Sequence, residues 1–183
     1  MAFAGLHPVV AVYSTFLNRA FDQLLLDVAL HKAGVTFVLD RAGITETMVP
    51  RITASGSCVD WNCPNLESCS AKRWFKMKEL LREATSIKDS PSLIRFPKGV
   101  INPDLPAFER RDGIDFLYRG ESPDILLIAV GAMAQLAVDA AAQAYREGVG
   151  VTVIDPRWFG RYRLRRLLEC LIVIRESLLS KME

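Results

Sequence analysis

The sequence has almost no excess of charge of either sign, few histidines, and no cysteine pair at metal-binding spacing. Lys and Arg number 23 against 21 Asp and Glu, and the net charge of +2 is too small to predict binding to nucleic acid or to an anionic membrane. The cysteines lie at positions 58, 63, 69 and 170 without C-x-x-C spacing, and neither histidine is close to them, which disfavours a zinc site. Nothing marks secretion, so a disulfide framework is disfavoured too. We expect a cytoplasmic protein with reduced thiols.

The sequence also lacks a hydrophobic run that could cross a membrane. Residues 1–18 carry no charged side chain, but polar residues and Pro8 interrupt them and no basic segment precedes them. They fit neither a signal peptide nor a spanning helix, and the apolar run at 125–138 is too short to span. What remains is an ordinary globular composition, 50% hydrophobic and 24% charged. The 183 residues can hold one α/β domain and part of a second.

Residues 8–39 predict a strand–helix–strand unit. The stretch PVVAVY at 8–13 is short, apolar and β-branched, which is typical of a buried strand in a parallel sheet. Ser14 or Thr15 can cap a helix that continues to about Lys32. The stretch VTFVL at 35–39 is the next buried strand. The short connections indicate right-handed parallel pairing.

The character of the sequence changes between residues 44 and 74. This segment shows neither the strand period nor the helix period, and a structureless stretch of about thirty residues is unusual inside a compact domain. Regular patterns return with a predicted helix at 75–85 and a predicted strand at 92–96.

A second strand–helix–strand unit follows a predicted linker. Prolines and a cluster of charge at 99–112 indicate the linker. The strand ILLIAV at 125–130, an alanine-rich helix from Gly131 to about Glu147, and the strand VTVI at 151–154 form the unit. Gly148 suits the C′ position of this helix. The tail at 159–183 can form a helix, although its leucines and arginines make no clean apolar stripe.

Specific sequence strings within these units resemble one enzyme family. They are LHPVVAVYSTFLNRAFDQ at 6–23, DRAGIT at 40–45, PSLIRFPKG at 91–99 and VTVIDPRW at 151–158. The strings resemble the pyrimidine-binding domain of 1-deoxy-D-xylulose-5-phosphate synthases and the domain that follows it. Related transketolases and 2-oxoacid dehydrogenase β-subunits share the fold but lack the YSTFLxRAxDQ string. The resemblance covers residues 1–45 and 75–158.

The resemblance implies an α/β fold, with a parallel-sheet pyrimidine-binding domain of the transketolase type followed by the truncated start of a transketolase C-terminal α/β domain. We place the first domain at residues 1–99, with 45–74 atypical, and a linker at 100–122. The second domain is placed at 123–183, with 159–183 atypical.

The resemblance also implies an enzyme that uses thiamine diphosphate and Mg²⁺. It would join pyruvate, after loss of carbon dioxide, to glyceraldehyde 3-phosphate for isoprenoid precursor synthesis. Phe16 would stack on the aminopyrimidine ring, and Tyr13 would offer a hydroxyl near the reacting carbon. Arg19, Arg41 and Lys98 would lie toward the substrate phosphate, where the family often has arginine in place of Lys98. Without the resemblance, Phe16 would also fit a position in the hydrophobic core, and Arg19 and Arg41 would fit solvated surface positions.

Three parts of the family's chemistry have no match here. The glutamate that protonates the aminopyrimidine lies, in the family, in a Gly-Ile-Ala-Glu-Gln-His string just before the position of Met1, and the diphosphate- and magnesium-binding domain lies further upstream. After DRAGI the family continues with a Gly-x-Asp-Gly-x-Ser/Thr-His-x-Gly loop that carries an active-site aspartate and histidine. Here residues 47–54 read TMVPRITA. Suitable codons for this stretch, read one base earlier, spell Asn-Asp-Gly-Ala-Ser-His-Asn-Gly. We therefore interpret the segment from about Thr45 to Phe75 as the product of a frameshift, and place a second shift after Trp158.

Three interpretations of the function stay open at this point. The chain is predicted to be a remnant of the synthase that is inactive alone, so that pyruvate and glyceraldehyde 3-phosphate are partners of the family. Alternatively, it is a non-catalytic module that pairs with an intact synthase subunit. A homodimer is a separate expectation for the partner of the chain. A third alternative is an unrelated small α/β protein that binds a nucleotide or zinc.

Overall fold

The computed structural model describes residues 1–43, 63, 65–71, 73–100, 103–121 and 124–159. The chain divides into two compact units. The first is Met1–Asp104 together with a segment that returns at Trp158, and the second is Leu105–Arg157 within the described residues. The stretch at 47–54 that suggests a frameshift, and the predicted helix beyond Phe159, lie outside the described residues.

The first unit is built on a mainly parallel sheet. Its described strands are β1 (Val9–Tyr13), β2 (Thr36–Asp40), β3 (Glu67–Ser70), β4 (Ser92–Arg95) and β9 (Trp158–Phe159). They lie in the order β1-β2-β4-β3-β9. The first four pair in parallel, as the apolar β-branched sequences of β1 and β2 predict, and β9 pairs antiparallel with β3. All four carboxyl ends of the parallel strands therefore lie at one edge of the sheet.

The helical connection between β1 and β2 is confirmed, but it is not one continuous α-helix. It consists of α1 (Ser14–Leu17), a 3₁₀ turn (Asn18–Ala20), α2 (Phe21–Gln23) and a π-helical segment (Leu24–Ala29). Leu17 and Leu24 are buried against Phe37, Leu39 and Leu93 of the sheet. The predicted cap is wrong, because α1 begins at Ser14 itself and has no side-chain cap.

Strand β3 lies within the segment that was expected to be structureless. Ser68 pairs with Leu93 and Cys69 with Ile94, and both Ser68 and Cys69 are fully buried. The prediction is therefore wrong for residues 67–70. The sequence ESCS has no apolar alternation. Its place in the sheet comes from backbone pairing with β4 and from burial of Cys69 against Leu80 and Trp158.

Helix α3 (Trp74–Ser86) follows β3 and agrees with the predicted helix. Its buried residues Leu80 and Ala84 pack with Ile94, Cys69 and Trp158. The helical segment that precedes β2 contributes to one apolar cluster of the first unit, and helix α3 contributes to another.

The second unit contains a mixed sheet and one long helix. Its elements are β5 (Glu109–Arg111), β6 (Ile114–Arg119), β7 (Ile125–Ile128), α4 (Ala134–Arg146) and β8 (Val151–Asp155), and the strands lie in the order β5-β6-β8-β7. Strands β7 and β8 pair in parallel across α4, which confirms the second strand–helix–strand unit. Strands β5 and β6 form an antiparallel hairpin inside the segment 100–122, which was expected to be a linker. The sequence did not predict this hairpin because β5 is a largely exposed edge strand, and its charged residues resemble those of a linker.

The end of α4 confirms the prediction for Gly148. Gly148 has φ +83°, and its N–H donates to the Tyr145 carbonyl at 3.1 Å. The Val149 N–H donates to the Ala144 carbonyl at 3.0 Å, which completes a Schellman motif. No helix among the described residues is long and apolar enough to cross a membrane.

Candidate functional site

The candidate site lies at the carboxyl edge of the parallel sheet in the first unit. Tyr13 is the last residue of β1, Arg41 directly follows β2, and Lys98 lies three residues after β4. In open α/β sheets ligands bind at this edge, because the loops that leave parallel strands converge there. The fold therefore explains why the predicted site residues lie at the ends of three neighbouring strands.

Two exposed aromatic rings and a guanidinium lie close together at this edge. The Tyr13 and Phe16 rings are 6.1 Å apart between centroids and tilted by 46°. The Arg41 guanidinium carbon lies 4.6 Å from the centroid of the Tyr13 ring, within the range of a cation–π interaction. Tyr13 is 42% exposed and Phe16 is 55% exposed, so the interpretation of Phe16 as a core residue is wrong. Exposed aromatic faces of this kind can stack on a planar heteroaromatic ring.

Arg41 is held in an unusual backbone conformation. Its φ is +56°, in the left-handed region that non-glycine residues seldom occupy, and such strain persists where neighbouring groups enforce it. The Arg41 N–H donates to Asp40 Oδ1 at 2.7 Å, and the buried Ser14 hydroxyl donates to the Arg41 carbonyl at 3.1 Å. The Ser14 hydroxyl thus fixes the turn at Arg41 instead of capping α1.

The turn that carries Lys98 is tied to the loop after β2. The Ala42 N–H donates to the Phe96 carbonyl at 2.9 Å. A Cβ placed on Gly43 would lie 2.9 Å from Pro97 Cβ, so this close approach requires a glycine. The last residue of the Asp-Arg-Ala-Gly string therefore has a structural role, which is to let the two loops pack together.

These two loops enclose one side of a pocket of about 410 Å³. Its lining residues are Asp40, Arg41, Ala71, Arg73, Trp74, Met77, Phe96, Pro97, Lys98, Gly99 and Val100. The structure thus brings together Arg41 and Lys98, two of the three residues that the resemblance places toward a phosphate. Arg19 is exposed on the 3₁₀ turn after α1 and does not line this pocket, so its role stays a prediction.

Arg73 and Trp74 are pocket residues that the sequence alone did not identify. Arg73 is only 4% exposed, and its Nε donates to the Pro103 carbonyl at 3.0 Å. Trp74, the first residue of α3, is 52% exposed. Both fall in the segment 45–74 that was considered atypical, where no motif pointed to a site. Their position at the start of a predicted helix was the one available signal.

The described residues fit part of a thiamine cofactor but not all of it. The exposed Tyr13 and Phe16 rings suit its aminopyrimidine ring. No group of three or more His, Cys, Asp or Glu side chains within the described residues could hold a metal ion. The described residues therefore include no acidic or histidine cluster that would hold the magnesium ion of the cofactor.

Two family models and several curated relatives match most of this chain. The transketolase pyrimidine-binding domain matches residues 1–103, and the transketolase C-terminal domain matches residues 116–172. A 1-deoxy-D-xylulose-5-phosphate synthase of a Streptomyces species is 49% identical over 164 residues, covering 86% of this chain and 25% of that protein. The synthase of Thermobifida fusca is 49% identical over 168 residues, with 86% and 26% covered. The chain thus spans about a quarter of the length of the curated relatives that it matches.

Solved structures show the same fold at low sequence identity. A transketolase from Pichia stipitis in complex with fructose 6-phosphate aligns with a TM-score of 0.71 at 18% identity, over 82% of this chain and 23% of that one. A structure described as a split gene transketolase, inactive beta4 tetramer, aligns with a TM-score of 0.68 at 21% identity, over 84% of this chain and 50% of that one. These matches confirm the predicted α/β fold with transketolase-type pyrimidine-binding and C-terminal domains. The chain belongs to the transketolase family.

Proposed function

We propose that the chain corresponds to the pyrimidine-binding domain and the beginning of the C-terminal domain of a 1-deoxy-D-xylulose-5-phosphate synthase. The observation that carries the proposal is the 49% identity to a synthase across 86% of this chain. The whole enzyme would condense pyruvate with glyceraldehyde 3-phosphate, with loss of carbon dioxide, using thiamine diphosphate and Mg²⁺. The strings that resemble the family include Tyr13, Phe16, Arg41 and Lys98 at the carboxyl edge of the sheet.

In this proposal Phe16 and Tyr13 bind the pyrimidine ring of the cofactor. When bound, thiamine diphosphate would supply a second ring, the thiazolium, as the electron sink for decarboxylation, and the pyrimidine would be the ring held by Phe16 and Tyr13. The exposure of Phe16 and its tilted packing on Tyr13 leave an aromatic face available for stacking. The Arg41 guanidinium lies over the Tyr13 ring, so its positive charge is next to the proposed pyrimidine-binding rings.

Arg41 and Lys98 bind the phosphate of the second substrate. Both line one pocket, and the hydrogen bond between Ala42 and Phe96 holds their loops together. Arg19 would approach the same anion from the first helical turn. This backbone hydrogen bond holds the two loops in position. Less conformational entropy is therefore lost when the two charged side chains become ordered around an anion.

We further propose that this chain alone does not catalyse the reaction. Residues 47–54, TMVPRITA, stand where the family loop supplies an aspartate and a histidine. The gene sequence tests the frameshift that would explain this replacement. We expect the codons of residues 47–54 to encode the family loop in the neighbouring frame, and codons that do not would remove this explanation.

A turnover assay tests the proposed inactivity of the chain alone. The purified chain is mixed with thiamine diphosphate, Mg²⁺, pyruvate and glyceraldehyde 3-phosphate, and formation of 1-deoxy-D-xylulose 5-phosphate is followed. The Streptomyces relative serves as the positive control. We expect no product from the chain alone, and product formation at the rate of the control would contradict the proposal.

A second candidate function is that of a module that pairs with a synthase subunit. Strand β1 has the sequence of a buried strand, yet Val9 is 50% exposed and Val10 is 37% exposed at the edge of the described sheet. An apolar edge strand without a charged residue is prone to pair with another chain. A structure described as a split gene transketolase also shares this fold over 84% of the chain, which supports the idea that such a portion can be a separate polypeptide.

Co-purification with the Streptomyces synthase tests this second function. The tagged chain should retain the synthase, and Val10→Lys, which places a charge on the β1 edge, should abolish retention. Lys88→Gln, an exposed change in the same unit, is the matched control and should leave retention unchanged. Absence of retention by the unmodified chain would exclude the pairing module.

A further inference from the structure

The pocket that contains Arg41 and Lys98 has an apolar wall that a triose phosphate does not need. Trp74, Met77, Pro97 and Val100 line this wall, and the pocket has a volume of about 410 Å³. Trp74 is 52% exposed even though the Lys78 ammonium lies 4.6 Å from the centroid of its ring. A flat ligand surface could therefore cover indole area that now contacts water.

The polar side of the same pocket favours an anion. Arg41, Arg73 and Lys98 line the pocket together with Asp40, whose Oδ1 accepts the hydrogen bond from the Arg41 backbone N–H. Arg73 is 4% exposed and its Nε donates to a carbonyl, so its charge is held in place and poorly screened by solvent. Positive charge beside an exposed indole suits a molecule with an anionic group at one end and an apolar body at the other.

We propose that this pocket binds organic phosphates with a flat apolar body, with the phosphate between Arg41 and Lys98 and the body against Trp74 and Met77. The placement of the phosphate rests on the proposed function. The preference for an apolar body is additional to it, and depends on Trp74. Trp74 is thus a specificity-determining residue of this chain.

Isothermal titration calorimetry of the full chain with phenyl phosphate, inorganic phosphate and phenol tests the proposal. Phenyl phosphate should bind about tenfold more tightly than inorganic phosphate, since burial of part of one ring is worth roughly this factor. Phenol should not bind measurably. Arg41→Gln should weaken both phosphates, and the exposed control Lys88→Gln should change neither affinity.

Variants of Trp74 separate the apolar wall from the charge. Trp74→Gln should lower the affinity for phenyl phosphate to that for inorganic phosphate, and Trp74→Phe should restore most of the preference, with circular dichroism to verify that both variants fold. Equal affinities of the unmodified chain for the two phosphates, or a preference that survives in Trp74→Gln, would overturn the proposal. Because the assay requires no turnover, that result would leave the synthase assignment intact. Failure of both phosphates to bind would also overturn it, and would in addition count against the proposed roles of Arg41 and Lys98.

Discussion

Trp158 lies on β9, an edge strand of the sheet in the first unit. Removal of its indole N–H tests how much its hydrogen bond stabilises that unit. The side chain is 4% exposed and packs with Cys69, Leu80 and Ile94, and its Nε1 donates to Glu83 Oε2 at 2.7 Å. A hydrogen bond to a charged group contributes about 1.5–3 kcal/mol. Glu83 is only partly buried, so water can replace some of this contribution in Trp158→Phe. We expect the free energy of unfolding to fall by about 1–2 kcal/mol.

Two further variants divide the contribution of Trp158 into its parts. Trp158→Ala also removes the ring from the apolar cluster and should cost about 3–5 kcal/mol. Glu83→Gln keeps an acceptor oxygen but removes its charge, and should cost less than Trp158→Phe. In the double variant the two effects should not add, because both changes act on the same hydrogen bond.

Urea denaturation followed by far-ultraviolet circular dichroism measures these differences. Hydrogen exchange at residues 67–70 provides a local readout, since β3 pairs with β9 and its amides should exchange faster in Trp158→Ala. Ordinary surface substitutions change the free energy of unfolding by up to about 0.5 kcal/mol. A loss in Trp158→Phe that stays within this range, or strict additivity with Glu83→Gln, would refute the reasoning.

Three other predictions concern the rest of the described structure. Gly34→Ala places a Cβ 2.7 Å from the Lys88 carbonyl oxygen and should lower the free energy of unfolding by about 1–3 kcal/mol in the same urea assay. Asp115→Ala removes the carboxylate that the buried Arg157 guanidinium contacts at 3.2 Å, and should cost about 3–5 kcal/mol in that assay. The Glu121 charge raises the pKa of Tyr145 above its usual 10.0, so Glu121→Gln should lower that pKa in an absorbance titration referenced to Tyr145→Phe.

The parts of the fold that the sequence predicted are those with a strong local pattern. Strands β1 and β2 are continuous apolar runs, and buried parallel strands require such runs because both of their faces are usually covered. Their parallel order places Tyr13 and Arg41, which the resemblance alone had named as site positions, at one edge of the sheet. Gly148 was predictable for a similar reason, because the left-handed C′ position of a helix favours glycine.

The elements that escaped prediction owe their structure to tertiary context. Strand β3 has the sequence ESCS and joins the sheet through backbone hydrogen bonds, which leave no apolar pattern in the sequence. Arg73 and Trp74 enter the pocket because β3 and α3 meet there. Ser14 illustrates the same limit at a single residue, because its hydroxyl contacts the Arg41 carbonyl from a position that locally resembles a helix cap.

The central claim is that this chain keeps competent synthase positions around a disabling internal segment. Two chimeras of the Streptomyces synthase test both halves of the claim in one assay. The first receives residues 1–43 and 75–103 of this chain and keeps the synthase's own intervening loop, whereas the second receives residues 1–103 without interruption. Formation of 1-deoxy-D-xylulose 5-phosphate is measured for each. We predict product from the first chimera and none from the second. Activity in both, or a folded but inactive first chimera, would contradict the account.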